Sequence, residues 1–78
     1  MKKVSIYSTP TCTYCGLAKE FFKKNGVAFE EFDVATNLEK RREMVEKSGQ
    51  MGVPVIYIGD QLIVGYDEDR IKGLLSIK

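Results

Sequence analysis

The stretch TPTCTYCGLAKEFF, residues 9–22, places two cysteines three positions apart, where a short apolar run ends and a helical pattern begins. The chain has 78 residues, and a core this small cannot be divided, so we expect a single domain over residues 1–78. A disulfide between Cys12 and Cys15 would close too short a loop to remove much entropy from the unfolded chain. The pair therefore needs a chemical explanation rather than a structural one.

Charge and hydropathy exclude several classes of partner. Twelve basic and eleven acidic residues give a formal net charge of +1, which offers no large field for nucleic acid. No segment has the roughly 20 apolar residues of a membrane span, and the N-terminal apolar run is too short for a secretory signal. We therefore expect a cytoplasmic protein, in a compartment where a close cysteine pair is more often catalytic or metal-binding than structural. We also expect the protein to be a monomer.

Apolar spacing predicts seven elements in the order β-α-β-α-β-β-α. The expected strands cover residues 3–8, 27–34, 55–58 and 61–64, and the expected helices cover residues 14–25, 37–48 and 67–75. Thr36 and Glu39 have the spacing of a capping box before the second helix, and Gly59 with Asp60 forms a two-residue hairpin connection. This order predicts an α/β fold: a four-stranded mixed sheet with helices on both faces, its first two strands parallel and its last two antiparallel.

The first cysteine occupies the part of such a sheet where ligands bind, beyond the carboxyl end of a parallel strand. The helix that follows points its unpaired N–H groups at Cys12, and the helix dipole favours a thiolate there. No cation lies between Thr9 and Tyr14, so we expect the pKa of the Cys12 thiol to lie only moderately below that of free cysteine. Cys15, one turn later on the packed side, is placed to attack a mixed disulfide formed at Cys12.

The main alternative to redox chemistry is half of a zinc site. Structural zinc usually takes four cysteine or histidine ligands, whereas this chain has two cysteines and no histidine. Zinc would therefore need two chains or carboxylate ligands. The ligand count favours thiol–disulfide exchange.

Three motifs resemble those of the glutaredoxins, in particular the short glutaredoxin-like proteins of bacteria and archaea. They are YSTPTCTYC at residues 7–15, GVPVIYIGD at residues 52–60 and VGYDEDRI at residues 64–71. The resemblance spans essentially the whole chain, and the motifs keep the order and spacing of the family. It implies the thioredoxin fold and a thiol–disulfide oxidoreductase without a bound cofactor. The implied partners are disulfide-containing proteins, with glutathione or thioredoxin reductase as the electron donor.

The resemblance also implies roles for individual residues. Cys12 becomes the nucleophile and Cys15 the resolving thiol. Val53–Pro54 becomes a cis peptide whose backbone pairs with an extended substrate, whereas the residues alone favour an ordinary trans proline at the start of a strand. Tyr14 would shield the disulfide, or would simply pack on the loop.

Glutathione-binding members of the family use the start of the last helix, where N–H groups hold the γ-glutamyl carboxylate and an acid meets its amino group. Asp67 and Glu68 match these positions, and Gly65 would allow the ligand to approach closely. N-capping of the last helix by Asp67 is an equally available role and is compatible with glutathione binding.

The chain departs from the family pattern at the position three residues before the nucleophile. Many glutathione users carry a lysine there, and this chain has Thr9. Arg41, Arg42 or Gln50 could replace that lysine as a partner for the glycyl carboxylate of glutathione. The residues do not determine which of them faces the groove.

Two further departures leave alternatives open. The pair Gly65–Tyr66 is typical of relatives that are reduced by thioredoxin reductase, so the donor stays undecided. Thr13 stands where a proline commonly follows the nucleophile, which leaves room for an iron–sulfur cluster bound through Cys12 in a dimer. A metal or cluster carrier is therefore the alternative function, and a binding module with a vestigial disulfide is a third.

Overall fold

The computed structural model describes residues 3–50 and 52–76. Within these residues the elements follow the predicted order. The strands are β1 (Val4–Ser8), β2 (Glu30–Asp33), β3 (Val55–Ile58) and β4 (Gln61–Val64), and the helices are α1 (Thr13–Lys24), α2 (Leu38–Ser48) and α3 (Glu68–Leu75). None of these described helices has the length and apolar content needed to cross a bilayer.

The four strands form one mixed sheet in the order β2-β1-β3-β4. β1 and β2 are parallel, β3 is antiparallel to β1, and β4 is antiparallel to β3. The carboxyl ends of β1, β2 and β4 therefore meet the amino end of β3 at one edge of the sheet, which we call the Cys12 edge. The loop that carries the cysteines leaves β1 at this edge.

Buried side chains on the two faces of the sheet form separate clusters. One cluster joins α1 and α3 to the sheet through Val4, Ile6, Ala18, Phe21, Phe22, Ile56, Ile58, Ile63 and Ile71. The other joins α2 to the opposite face through Tyr7, Val34, Met44 and Val55. Because successive strand residues point to opposite faces, β1 contributes to both clusters. The predicted α/β fold with helices on both faces is confirmed.

The second strand is shorter than predicted. It begins at Glu30, so the expected start at residue 27 was wrong. Val27 and Phe29 pack against the α1–α3 cluster, and the Val27 N–H donates to the Phe22 carbonyl at 2.8 Å. Pairing with β1 begins only at Glu30, opposite Ser5. The apolar residues before β2 therefore cover the end of α1 instead of extending the strand.

The start of α2 also differs from the prediction, because Asn37 and not Thr36 caps the helix. Asn37 Oδ1 accepts a hydrogen bond from the Lys40 N–H at 3.1 Å. The Asn37 N–H donates to the Asp33 carbonyl at 2.9 Å, which fixes the turn after β2 and delays the helix by one residue. The predicted stop at Gly49 is confirmed, with φ at 73°, in the left-handed region that favours glycine.

Substitution of Asn37 tests this assignment. Asn37→Ala removes the acceptor for the Lys40 N–H and is expected to lower the free energy of unfolding by about 1 kcal/mol. The matched variant Thr36→Ala is expected to change it by less than about 0.5 kcal/mol. Urea unfolding followed by circular dichroism measures both values. A larger loss for Thr36→Ala would contradict the Asn37 cap.

Candidate active site

Cys12 lies at the amino end of α1 as its N-cap residue. Its backbone is extended, with φ at −85° and ψ at 111°, and its Sγ accepts a hydrogen bond from the Cys15 N–H at 3.1 Å. Such an acceptor satisfies one of the N–H groups that a helix start leaves unpaired. The first turn of α1 contains no acidic residue, so no neighbouring carboxylate in that turn opposes a negative charge on Cys12. The predicted placement of Cys12 at the helix start is confirmed.

Cys15 is fully buried and Cys12 is partly exposed, although one helical turn separates them. The two cysteines form a disulfide, with their Cα atoms 5.2 Å apart. Cys15 begins the buried side of α1, which continues with Ala18 and Phe22. The prediction that Cys15 faces the packed side is confirmed. In this oxidised form Cys15 is closed to solvent, whereas Cys12 is partly accessible.

The loop between β1 and α1 turns tightly before the first cysteine. The Cys12 N–H donates to the Thr9 carbonyl at 3.2 Å, and the Gly16 N–H donates to the Cys12 carbonyl at 3.3 Å. Both hydrogen bonds fix the backbone of Cys12 at the surface. Tyr14, between the cysteines, is 62% exposed, so most of its ring is accessible to a partner.

The Val53–Pro54 peptide bond is cis, as the resemblance implied. Pro54 is fully buried, and its carbonyl accepts a hydrogen bond from the Gly65 N–H at 2.8 Å. Because β3 begins at the next residue and runs antiparallel to β1, the cis peptide lies at the Cys12 edge of the sheet. The hydrogen bond also brings the residues that precede α3 to this edge.

Asp67 is the N-cap of α3. Its Oδ1 accepts a hydrogen bond from the Arg70 N–H at 3.2 Å, and its side chain is exposed. Glu68 accepts a hydrogen bond from the Tyr66 hydroxyl at 3.3 Å. Burial, and then the carboxylate of Glu68, raises the pKa of Tyr66. The capping role of Asp67 is confirmed, and both acids stand exposed at the helix start.

The backbone conformation at position 65 explains why a glycine occupies it. Its φ of 87° lies in the left-handed region, and a Cβ added there would meet no atom of the described chain within 4 Å. The space that a side chain at Gly65 would occupy is therefore open. Arg41, Arg42 and Gln50, the three candidates to replace the missing lysine, are all exposed.

Residues 4–63 match the family model for glutaredoxin. The chain belongs to the glutaredoxin family. Among its relatives is an uncharacterized glutaredoxin-like 8.6 kDa protein in the rubredoxin operon of Clostridium pasteurianum, 42% identical over 94% of this chain and 97% of that protein. Glutaredoxin 3 of Escherichia coli is 43% identical over 87% of this chain and 82% of that protein.

A solved structure supports the same family. The crystal structure of the glutaredoxin of Archaeoglobus fulgidus superimposes with a TM-score of 0.85 at 31% identity, over 96% of this chain and 87% of that chain. The chain therefore has the thioredoxin fold, as the resemblance implied. Family membership and the Cys12–Cys15 pair together support thiol–disulfide oxidoreductase activity.

Metal binding has no comparable support in the described part of the chain. Within residues 3–50 and 52–76, no group of three or more histidine, cysteine, aspartate and glutamate side chains is placed to hold a metal ion. An iron–sulfur cluster bound between two chains through Cys12 would not need three such side chains in one chain. The carrier function therefore stays a prediction.

A hydrogen-bonded group at the base of the cysteine loop was missed from the sequence. The Ser8 hydroxyl donates to Glu31 Oε2 at 3.0 Å, and Lys19 Nζ donates to the same oxygen at 2.6 Å. Ser8 ends β1 and is buried, so the contact ties the start of the loop to β2 and α1. The hydrogen bond from Lys19, together with that from Ser8, lowers the pKa of Glu31 despite the opposing effect of burial. Ser8, Glu31 and Lys19 lie on three different elements, so no sequence pattern could have predicted that they form one hydrogen-bonded group.

The lowered pKa of Glu31 predicts a dependence of stability on pH. Because the folded state holds the carboxyl below its unfolded pKa, its contribution is present at neutral pH and is lost as pH falls through the lowered pKa. Glu31→Gln should therefore be less stable than the wild type at about pH 7, and this difference should disappear in acid, once the pH lies below the lowered pKa of Glu31. Urea unfolding at several pH values measures it.

Glu30→Gln is the matched control, because it makes the same change at the neighbouring position of β2. The ion pair of Glu30 with Lys3 is longer, at 3.6 Å, and more exposed than that of Glu31 with Lys19. We expect a change below about 0.5 kcal/mol at either pH. Equal pH profiles for the two variants would contradict the role assigned to Glu31.

Proposed function

We propose that this protein is a dithiol oxidoreductase that reduces disulfides of proteins or mixed disulfides of glutathione. Cys12 is the nucleophile and Cys15 is the resolving thiol. The observation that supports these roles is the unequal access to the two sulfurs: Cys12 is partly exposed at the start of α1, and Cys15 is fully buried behind it. A substrate disulfide can therefore contact only the first sulfur.

The reaction proceeds through two exchanges. The Cys12 thiolate attacks one sulfur of the substrate disulfide, whose S–S bond breaks while the other sulfur leaves as a thiolate and takes up a proton. Cys15 then loses its proton and attacks Cys12 Sγ, which breaks the mixed disulfide and releases the second substrate thiol. Two electrons pass from the dithiol to the substrate. The product is the Cys12–Cys15 disulfide, the state seen in the structure.

The backbone at the start of α1 supports the first exchange. The Cys15 N–H donates to Cys12 Sγ, and a hydrogen bond to the charged form of a thiol favours that form. The Cys12–Cys15 disulfide is reduced again by the reverse course. The donor thiolate attacks the accessible Cys12 Sγ, and Cys15 leaves as a thiolate that takes up a proton. Two glutathione molecules, or thioredoxin reductase, supply the two electrons and two protons.

The substrate docks beside the disulfide as an added strand. Val53 is partly exposed next to the buried Pro54, and its backbone N–H and C=O can pair with an extended peptide. The exposed ring of Tyr14 offers apolar contact beside the same disulfide. A backbone-directed contact of this kind suits an enzyme whose clients share a disulfide rather than a sequence.

Substitution of each cysteine tests the assigned roles. Cys12→Ser is expected to lose all reduction of a disulfide-bonded test protein, because no accessible sulfur remains to attack it. Cys15→Ser is expected to accumulate a mixed disulfide with the substrate, which mass spectrometry detects as an adduct on Cys12. Full disulfide reduction by Cys12→Ser would contradict the assignment, as would the absence of an adduct in Cys15→Ser.

Glutathione is proposed to bind at the start of α3. Its γ-glutamyl carboxylate meets the N–H groups of the first turn, and its amino group meets the carboxylate of Asp67 or Glu68. One oxygen of Asp67 is used as the cap of α3, and the negative charge of its carboxylate is available to the ligand. The open space beside Gly65 lies immediately before this turn.

Asp67→Asn separates the capping role from the binding role, because asparagine caps a helix as well as aspartate does. We expect the apparent KM for glutathione to rise about tenfold at unchanged kcat, since the lost interaction contributes to ground-state binding. A coupled assay of NADPH consumption with glutathione and glutathione reductase measures both constants. The same assay with thioredoxin reductase as the donor should give unchanged values.

Asp69→Asn is the control, because Asp69 is an exposed acid in the same first turn and does not cap the helix. It should leave both assays unchanged. Equal effects of the two variants would contradict glutathione binding through Asp67. A wild-type protein that accepts electrons only from thioredoxin reductase would exclude glutathione as the donor and leave the roles of the cysteines intact.

A further inference from the structure

A polar cleft of about 280 Å³ lies on the sheet face that α2 covers. Side chains of β1, β2, β3 and α2 line it, and they include three lysines but only two glutamates. Neither the cysteines nor the start of α3 contribute to the lining. The cleft is therefore separate from the proposed redox and glutathione sites, and its lining has an excess of positive charge.

Two of the lysines share one carboxylate. Lys40 Nζ lies 3.0 Å from Glu43 Oε2, and Lys47 Nζ lies 3.0 Å from Glu43 Oε1. The hydrogen bonds from Lys40 and then Lys47 lower the pKa of Glu43, and the hydrogen bond to Glu43 raises the pKa of each lysine. All three groups are therefore charged at neutral pH. The carboxylate balances one of the two positive charges and leaves the other.

Aromatic rings hold both ammonium groups in place. Lys40 Nζ lies 4.3 Å from the centroid of the Phe32 ring, and Lys47 Nζ lies 5.0 Å from that of Tyr57. Cation–π contacts of this length are attractive and restrict the position of the cation. An ammonium group has three N–H donors, of which Glu43 takes one from each lysine. Each lysine therefore retains donors for a further acceptor.

Tyr7 supplies a buried donor to the same cleft. Its side chain is only 2% exposed and lines the cleft, and its hydroxyl has no hydrogen-bond partner among the described residues. No fully buried side-chain oxygen in the described ranges lacks a partner, so this hydroxyl opens into the cleft. Burial raises the pKa of Tyr7, which keeps the hydroxyl protonated. The Tyr7 hydroxyl is therefore a protonated donor that faces the cleft beside Glu43, Lys47 and Lys40, where an acceptor of a bound ligand can meet it.

We propose that this cleft binds a phosphate-type oxyanion, with Lys40, Lys47 and the Tyr7 hydroxyl as donors. Lysine is a common phosphate ligand, and the several strong acceptor oxygens of a phosphate group can be shared among three donors. A phosphate group fits this space, whereas drug-sized ligands usually occupy about 300–1,000 Å³. The ligand is therefore inorganic phosphate or the phosphate group of a larger compound whose remainder lies outside.

An NMR titration of the full-length oxidised protein tests the proposal. Sodium phosphate replaces sodium chloride at constant ionic strength, so that general screening of charges stays the same. We expect saturable shifts of the backbone amides of Tyr7, Phe32 and Tyr57. Shifts that do not saturate, or no shifts at these residues, would overturn the proposal.

A pair of double variants isolates the two lysines. Lys40→Met with Lys47→Met keeps the aliphatic stems, removes two charged donors and is expected to weaken phosphate binding about tenfold or more. Lys23→Met with Lys24→Met makes the same change of charge on the exposed last turn of α1 and should leave the affinity unchanged. If both double variants weakened phosphate binding equally, binding would reflect general electrostatic attraction, and the proposal of a site in this cleft would be overturned.

Two single variants act in opposite directions and keep the test independent of protein stability. Tyr7→Phe removes only the hydroxyl and is expected to weaken binding about threefold. Glu43→Gln removes the carboxylate that competes with the ligand for both lysines, so binding should tighten about threefold or more. A purely structural role of the cluster would give neither effect, and weaker binding in Glu43→Gln would contradict the competition.

Methyl phosphate and a nucleoside monophosphate distinguish the two sources of the oxyanion. Tighter binding of the nucleotide than of inorganic phosphate would identify the phosphate group of a larger compound as the ligand. Equal affinities for all three would identify the phosphate group alone as the determinant. Binding of none of them would overturn the proposal for both sources.

Discussion

The hydrogen bond from the Cys15 N–H to Cys12 Sγ is the contact on which the site depends. A helix start leaves this N–H without a partner inside the helix, and here a sulfur atom accepts it. The same turn leaves Cys12 partly exposed and places Cys15 on the buried side of α1. One helical turn thus creates two chemically identical thiols with different access to a substrate. Dithiol exchange needs this difference, because the second thiol must wait until the first has reacted.

The sheet supplies the surroundings of that turn. Parallel pairing of β1 and β2 and antiparallel pairing of β3 with its neighbours bring one end of each strand to the Cys12 edge. The hydrogen bond between the Pro54 carbonyl and the Gly65 N–H joins the start of β3 to the chain that enters α3. As a result, Asp67 begins α3 at the edge where the cysteines lie. The opposite face, covered by α2, carries a separate polar cleft.

The start of β2 and the cap of α2 were wrongly predicted, in each case where the local sequence allowed two arrangements. The apolar residues before β2 have the spacing of a strand, but Val27 and Phe29 pack against the α1–α3 cluster, and pairing with β1 begins only at Glu30. Thr36 and Asn37 are adjacent residues that can both cap a helix. The hydrogen bond from the Asn37 N–H to the Asp33 carbonyl selects the second. The local sequence thus limited the cap of α2 to two adjacent residues. The contact of Asn37 with the end of β2 determined which of them is the cap.

Local patterns along the chain were sufficient to predict the order of the elements, the position of Cys12 at a helix start and the burial of Cys15. Periodicity, capping and turn formation act between residues within a few positions of one another, so they can be read along the chain. The folded arrangement was needed to show which motifs meet at the Cys12 edge, and that Ser8, Glu31 and Lys19 form one hydrogen-bonded group. The same holds for the cleft on the α2 face. Contacts of this kind depend on strand order and register and on the placement of each helix, which spacing along the chain does not specify.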